Sequence, residues 1–366
     1  MSDPLIEATY IATRPDRDPE ILAEQIAREQ SLEIVPELIP DQIRWRYLGR
    51  VLEVSRQGEE RWAFRIGYPA ELASAQAGQL LHLLYGNVSF YPRIRLLDLH
   101  LPDALLDTLP GPLGGIERIR TQIGVRDRPL LMTVLKPRGS SPEHLAGIAG
   151  RFARGGGDLI KDDQNLVESE IQSFRNRINI CTQELELAEE DTGKRCLYLP
   201  HVAGSGDHLR RQLEAVKEAG LAGVVMCPWV MGLETAASAA REFELMWLAH
   251  PAMAGAFTEA VDQGIASPIL LGKLLRVAGA DISIFPGSGG RISSAHDDDR
   301  AVCRALTEPL GQLRPTLPCL GGGKTLEAAP ESRQRLGIDH AVLVGGDLLK
   351  RGEAIEAAVR ETLERF

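Results

Sequence analysis

The chain has 366 residues, with 41 Lys+Arg against 51 Asp+Glu, and 44% of it is apolar. That length suits two domains better than one core. The net charge of -10 argues against nucleic acid, and no apolar run reaches the roughly 18 residues a membrane span needs. The start, Met-Ser-Asp-Pro-Leu, lacks the basic-then-apolar layout of a signal peptide. Five cysteines, none in a CxxC pair, predict free thiols in a reducing cytoplasm.

In chain order, Ile6–Thr13 reads as a strand and Pro19–Gln30 as a helix. Ile43–Val54 and Arg61–Tyr68 read as a hairpin around Gln57-Gly58. Ala73–Tyr85 reads as a second helix and Ile94–His100 as a last strand. The order βαββαβ is the ferredoxin-like pattern. Leu109–Ile123, with Pro110, Pro112 and three glycines, reads as a linker. The expected domains are 1–115, ferredoxin-like α+β, and 116–366.

From Pro129 onward short apolar runs alternate with amphipathic stretches. The runs are Leu130–Pro137, Asp158–Asp163, Cys196–Val202, Gly223–Trp229, Met246–Ala252, Asp281–Gly287, Leu317–Gly323 and His340–Gly346. The clearest helical stretches are Pro142–Arg154, Asp207–Ala219, Pro268–Ala278 and Leu348–Arg365. Continuous apolar strands imply burial on both faces, and eight strand–helix units in about 240 residues match a TIM (β/α)8 barrel. A doubly wound sheet is the alternative.

Barrel chemistry sits where strands end. The seventh and eighth runs end in Gly321-Gly322-Gly323 and Gly345-Gly346, which suits a phosphate cradle of backbone N–H groups. The second run ends in Lys161-Asp162-Asp163-Gln164. Alternation places Lys161 and Asp163 on one side. The cluster is either a Lys–Asp ion pair or an oxygen site for Mg²⁺, the latter requiring a carbamylated lysine. Lys136, behind which the strand is apolar, fits a proton shuttle or a snorkelling surface lysine. Arg291, in a Gly-rich loop, suits an anionic group. His201 and His250 each read as structural donor or catalyst, and the cysteines as core fillers.

At these residues the chain resembles the RuBisCO large-subunit superfamily. Arg95–Pro102 followed by Gly111-Pro112 is similar to the segment entering its barrel. Lys136-Pro137 is similar to its first catalytic Lys-Pro, and Gly156–Asp163 to its metal-binding strand. His250 with Met253 resembles its catalytic His segment, and the Gly pairs its phosphate site. The resemblance implies catalysis by Lys136, Lys161 and His250. It implies one Mg²⁺ on carbamylated Lys161, Asp163 and Gln164, and substrate contacts from Gly322, Gly323, Gly345, Gly346, Arg291, Arg138 and Asn87. It further implies a homodimer whose active sites lie at the subunit interface, with Glu29 and Asn87 reaching the partner.

Departures narrow the activity. Arg138 replaces a second lysine, Gln164 a glutamate, Pro251 an arginine and Ala254 a histidine. The Phe285–Arg291 stretch replaces the sixth-strand His and the flexible-loop Lys. These changes imply a RuBisCO-like protein that enolises a sugar monophosphate and fixes no CO₂. The first expectation is a 5-methylthioribulose-1-phosphate isomerase. The alternatives are a 2,3-diketo-5-methylthiopentyl-1-phosphate enolase, a 3-oxo-isoapionate-4-phosphate decarboxylase or transcarboxylase, and a non-catalytic binding relative.

Overall fold

The computed structural model describes residues 4–292 and 296–366. The chain divides into two units. One comprises Met1–Gly111, Met253–Ala278 and Pro309–Leu313; the other comprises Pro112–Ala252, Gly279–Glu308 and Arg314–Phe366.

The first unit is built on β1 (Leu5–Thr13), β2 (Arg50–Arg56), β3 (Arg61–Pro69) and β4 (Ile94–His100). β1 runs antiparallel to β3 and β4, and β3 antiparallel to β2. That is the ferredoxin-like order 4-1-3-2. Ile6, Ala8 and Tyr10 alternate inward along β1. Helix Pro19–Ser31 packs on β2 and β3, burying Leu22 and Ile26. Its first turn is capped by Asp18, which accepts the amides of Glu20 and Ile21. Ile43–Val54 is not one strand. Asp41–Tyr47 is a short helix after Pro40, and only Arg50–Arg56 is extended.

The second unit carries eight parallel strands. β5 (Leu130–Leu135), β6 (Leu159–Asp162), β7 (Leu197–Leu199), β8 (Gly223–Met226) and β9 (Met246–Ala249) come first. The chain then gives β10 (Gly264–Ile265) to the first unit's sheet, where it pairs parallel with β4. β11 (Ile282–Pro286), β12 (Leu317–Gly321) and β13 (Ala341–Leu343) complete the set. The order is 7-6-5-13-12-11-9-8. A parallel bridge between His201 and Val225 joins its two ends and closes the barrel. All eight expected runs are strands, and every residue of β5 is buried, as a sheet covered on both faces requires.

Three helical expectations change. Leu109–Ile123 ends in a helix, Gly115–Ile123, whose Ile116, Ile119 and Ile123 join the inward residues Leu130, Leu159, Leu197 and Leu317 in one core. Pro268–Ala278 begins as a wide π-type turn and belongs to the first unit. Leu348–Arg365 is broken, because Gly352 adopts φ +53° between two short helices. Among the described residues no helix is long and apolar enough to cross a membrane.

Candidate active site

The barrel interior fixes which side chains reach its mouth. Leu130 and Met132, Leu159, Leu197 and Leu199, Val225, Met246 and Leu248, Ile282 and Ile284, Leu317 and Cys319, and Ala341 all lie in the inner core. Continuing the period of two along each strand brings Lys136, Lys161 with Asp163, His201, Cys227, His250, Gly321 with Gly323, and Gly345 to one rim. The same count sends Asp162 and Tyr198 outward, and they meet there: Tyr198 Oη donates to Asp162 at 2.8 Å.

Lys161 is 1% exposed. Its amine donates to the Asp162 carbonyl at 2.8 Å and forms no ion pair with Asp163. Burial draws its pKa down to about 8, against the opposing pull of Asp163. Asp163 Oδ1 instead accepts the backbone and side-chain amides of Asn165, both at 2.9 Å. Gln164 is half-buried beside it.

His250 is half-buried, and its Nδ1 accepts the Ala252 amide at 3.2 Å. Burial, reinforced by the nearby charges of Lys161 and His201, holds it well below the usual imidazole range. A neutral ring whose Nδ1 accepts must carry its proton on Nε2, so His250 is a donor at neutral pH. His201 is buried, its backbone N–H donating to Asp162 at 3.0 Å and its Nε2 lying 3.8 Å from Cys227 Sγ. Cys227, read from sequence as a core filler, therefore stands at the rim. Counting two residues on from Val225 would have found it.

The glycine clusters form the opposite flank. Gly322 and Gly323 adopt φ +85° and +97°, and a Cβ on Gly323 would stand 3.0 Å from the Arg291 backbone nitrogen. The Ile292 amide donates to the Gly322 carbonyl at 2.9 Å, so the Arg291 loop is bonded to this turn. Asp347 accepts the Leu326 amide at 3.0 Å, tying the turn after β12 to helix Gly346–Leu349 after β13. A Cβ on Gly345 would lie 3.3 Å from Lys136 Nζ, so Lys136 borders the glycines. β5, which ends one residue before Lys136, pairs with both β13 and β6. Gly345 and Lys161 are thus two strand spacings apart, roughly 10 Å, a span that matches a five-carbon chain together with its phosphate and the hydrogen bonds at either end.

Two expected residues do not lie on the rim strands. Arg138 is exposed and lines a groove with Ser140, Leu166, Ser173 and Asn176. Asn87 lies in the first unit, donating to Glu29 at 3.0 Å.

The family model for the ribulose bisphosphate carboxylase large chain, catalytic domain, matches residues 115–360. Ribulose bisphosphate carboxylase-like protein 1 of Rhodopseudomonas palustris is 39% identical over 100% of this chain and 98% of its own. The 5-methylthioribulose-1-phosphate isomerase of Rhodospirillum rubrum is 36% identical over 98% of this chain and 94% of its own. The 2,3-diketo-5-methylthiopentyl-1-phosphate enolase of Bacillus pumilus is 32% identical over 93% of this chain and 87% of its own. The crystal structure of the Rubisco-like protein from Rhodopseudomonas palustris superposes with a TM-score of 0.89 at 35% identity, covering 100% of this chain and 98% of that one. With the barrel, the Lys-Asp-Asp strand end and matches of this extent, the chain belongs to the ribulose bisphosphate carboxylase large-chain family, among its non-carboxylating RuBisCO-like members.

Proposed function

We propose that residues 116–366 form a catalytic domain that enolises a sugar monophosphate, with 5-methylthioribulose 1-phosphate as the substrate and isomerisation as the outcome. The observation that carries this reading is the position of Lys136, with a glycine cradle on one side and the strand bearing Lys161 on the other. The phosphate would rest on Gly322, Gly323, Gly345 and Gly346, with Arg291 beside them. Lys136, as the neutral amine, would take the proton from the carbon next to the carbonyl and return it to the former carbonyl carbon, while the hydroxyl proton passes from the other enediolate oxygen to the former carbonyl oxygen. His250, neutral with its proton on Nε2, would donate to the developing oxyanion.

The donor set fits Mg²⁺ on one condition. Lys161 as an ammonium repels a cation, but burial favours its neutral amine. A neutral amine adds CO₂, releasing one proton and leaving a carbamate oxygen donor. Asp163, whose Oδ2 has no protein donor among the described residues, and the Gln164 carbonyl would complete the set. When bound, the ion supplies positive charge beside the enediolate oxygens. We also propose a cytoplasmic homodimer, with Glu29 and Asn87 serving the partner copy's site.

Incubating the protein with 5-methylthioribulose 1-phosphate in D₂O tests the reading. Deuterium incorporation with a rearranged pentulose phosphate is expected, lost in Lys136→Ala. No incorporation would sink the function. Turnover of the 2,3-diketo phosphate alone would favour the enolase, and CO₂ release from a branched oxo-acid phosphate the decarboxylase.

A further inference from the structure

The segment 163–167 carries Asp163 and Gln164 at the barrel mouth. The residues immediately before and after it, Asp162 and Glu168, are bonded to the same guanidinium. Arg177, in helix Ile171–Thr192, is 3% exposed. Its Nη1 donates to the Asp162 carboxylate and, at 2.9 Å, to Tyr198 Oη. Its Nε and Nη2 donate to the two oxygens of Glu168 at 2.5 and 3.0 Å. Asp162 is fully buried and also accepts the His201 amide, so its end of the segment is fixed to β7 as well as to the helix.

Inside the segment, the amides of Asn165, Leu166 and Val167 donate to Asp163 Oδ1, Asp163 O and Asn165 O. These short-range bonds define a turn, whose start is tied to β5 by the Asp163 amide donating to the Leu135 carbonyl at 3.0 Å. Beyond that bond and the buried Leu166 side chain, the segment is held by the two carboxylates at its ends. One planar fork meets both, which a lysine's single ammonium cannot reproduce.

We propose that Arg177 is a positioning residue of the active site, clasping segment 163–167 at both ends so that Asp163 and Gln164 are held at the mouth. It acts through these two residues and touches no substrate. The inference rests on the reading of Asp163 and Gln164 as the groups that hold the cation beside the reacting carbonyl.

Two variants test it. Glu168→Ala opens one half of the clasp at a partly exposed residue and leaves the Asp162–Arg177 pair intact. Arg177→Lys keeps the buried charge and loses the fork. Hydrogen exchange of the 165–167 amides, measured on the whole protein, reads the clasp directly. The expected result in both variants is on the order of tenfold faster exchange there, with exchange in β5 unchanged. The rate of α-proton exchange from the sugar phosphate should fall on the order of tenfold while its KM holds, since the glycine cradle is untouched.

Unchanged amide exchange in both variants would overturn the clasp. Faster exchange with an undiminished proton-exchange rate would overturn its positioning role. If the unaltered protein exchanges no proton with any sugar phosphate, the functional reading fails, and the positioning role falls with it, while amide exchange still decides whether the clasp exists.

Discussion

Burial takes water from the Lys161 amine and brings its pKa down to about 8 from the ordinary lysine value of 10.5. The folded protein therefore resists protonation there, and the sign of the effect on stability follows. Below pH 8 the cation must be buried, so the residue destabilises the fold. As pH rises from about 8 to 10.5 that penalty disappears. In CO₂-free buffer Lys161→Met should raise stability at pH 7 by about 1–3 kcal/mol, a gain that shrinks from about pH 8 and is gone above about pH 10.5. Chemical denaturation at the two pH values checks this. With ¹³C-bicarbonate, a carbamate signal should grow between pH 7 and 9 and be absent from the variant. Across the rim, Gly345→Ala would push a Cβ to within 2.8 Å of Val134 and 3.3 Å of Lys136 Nζ. Affinity for inorganic phosphate should fall about tenfold, read by calorimetry. The positions of Lys161, Asp163 and the glycines were legible because they end apolar strands, and a period of two is readable from sequence alone. Cys227 obeys the same period. It escaped because a cysteine in an apolar run is most often packing, and its identity carries no mark of the rim.

Elements were legible wherever one periodicity dominated. The eight barrel strands did so, and Pro142–Arg154 did so together with its cap, Ser141, which accepts the His144 amide at 3.2 Å. Two segments misled for definite reasons. Ile43, Trp45 and Tyr47 alternate as a strand would, yet they lie on a helix, with Ile43 and Trp45 exposed. No buried face enforces the two-residue period there. Helix Gly115–Ile123 was masked by the glycines and prolines before it. Gly115 has φ +56°, and a Cβ there would lie 2.1 Å from the Pro315 carbonyl oxygen, so this glycine is demanded by close packing. The helix start is held from β11's side: buried Asp281 accepts the amides of Gly114 and Gly115 at 2.8 and 2.7 Å, and that of Trp247 at 3.2 Å. Asp281→Ala leaves three N–H groups without their acceptor and should cost about 2–4 kcal/mol. Asp281 precedes β11 and so lies at the strand end opposite the rim. The lower melting temperature should therefore come with an unchanged KM, measured well below the transition.

At the scale of the whole molecule the open matter is how many chains make one site. The first unit leaves Ile34, Val35, Leu38, Ile43 and Trp45 exposed within one short stretch, more apolar surface than a solitary domain usually leaves in water. In the proposed homodimer a second copy would cover it. In the same unit the Asn87–Glu29 hydrogen bond holds two polar side chains half-buried, and among the described residues Glu29 forms no ion pair. If the dimer places these residues at the partner's barrel mouth, Asn87→Ala and Lys136→Ala inactivate different halves of each site. Co-expressed, the two inactive chains would form mixed dimers as half of the population. In each mixed dimer one site would combine an intact Lys136 with an intact Asn87. About a quarter of the wild-type rate should return, by the statistics of a two-fold dimer. Were each chain to supply its own Asn87, every site in the mixture would carry one defect and no activity would reappear. The recovered rate, followed with the mass of the active species by light scattering, thus separates a shared site from a self-contained one.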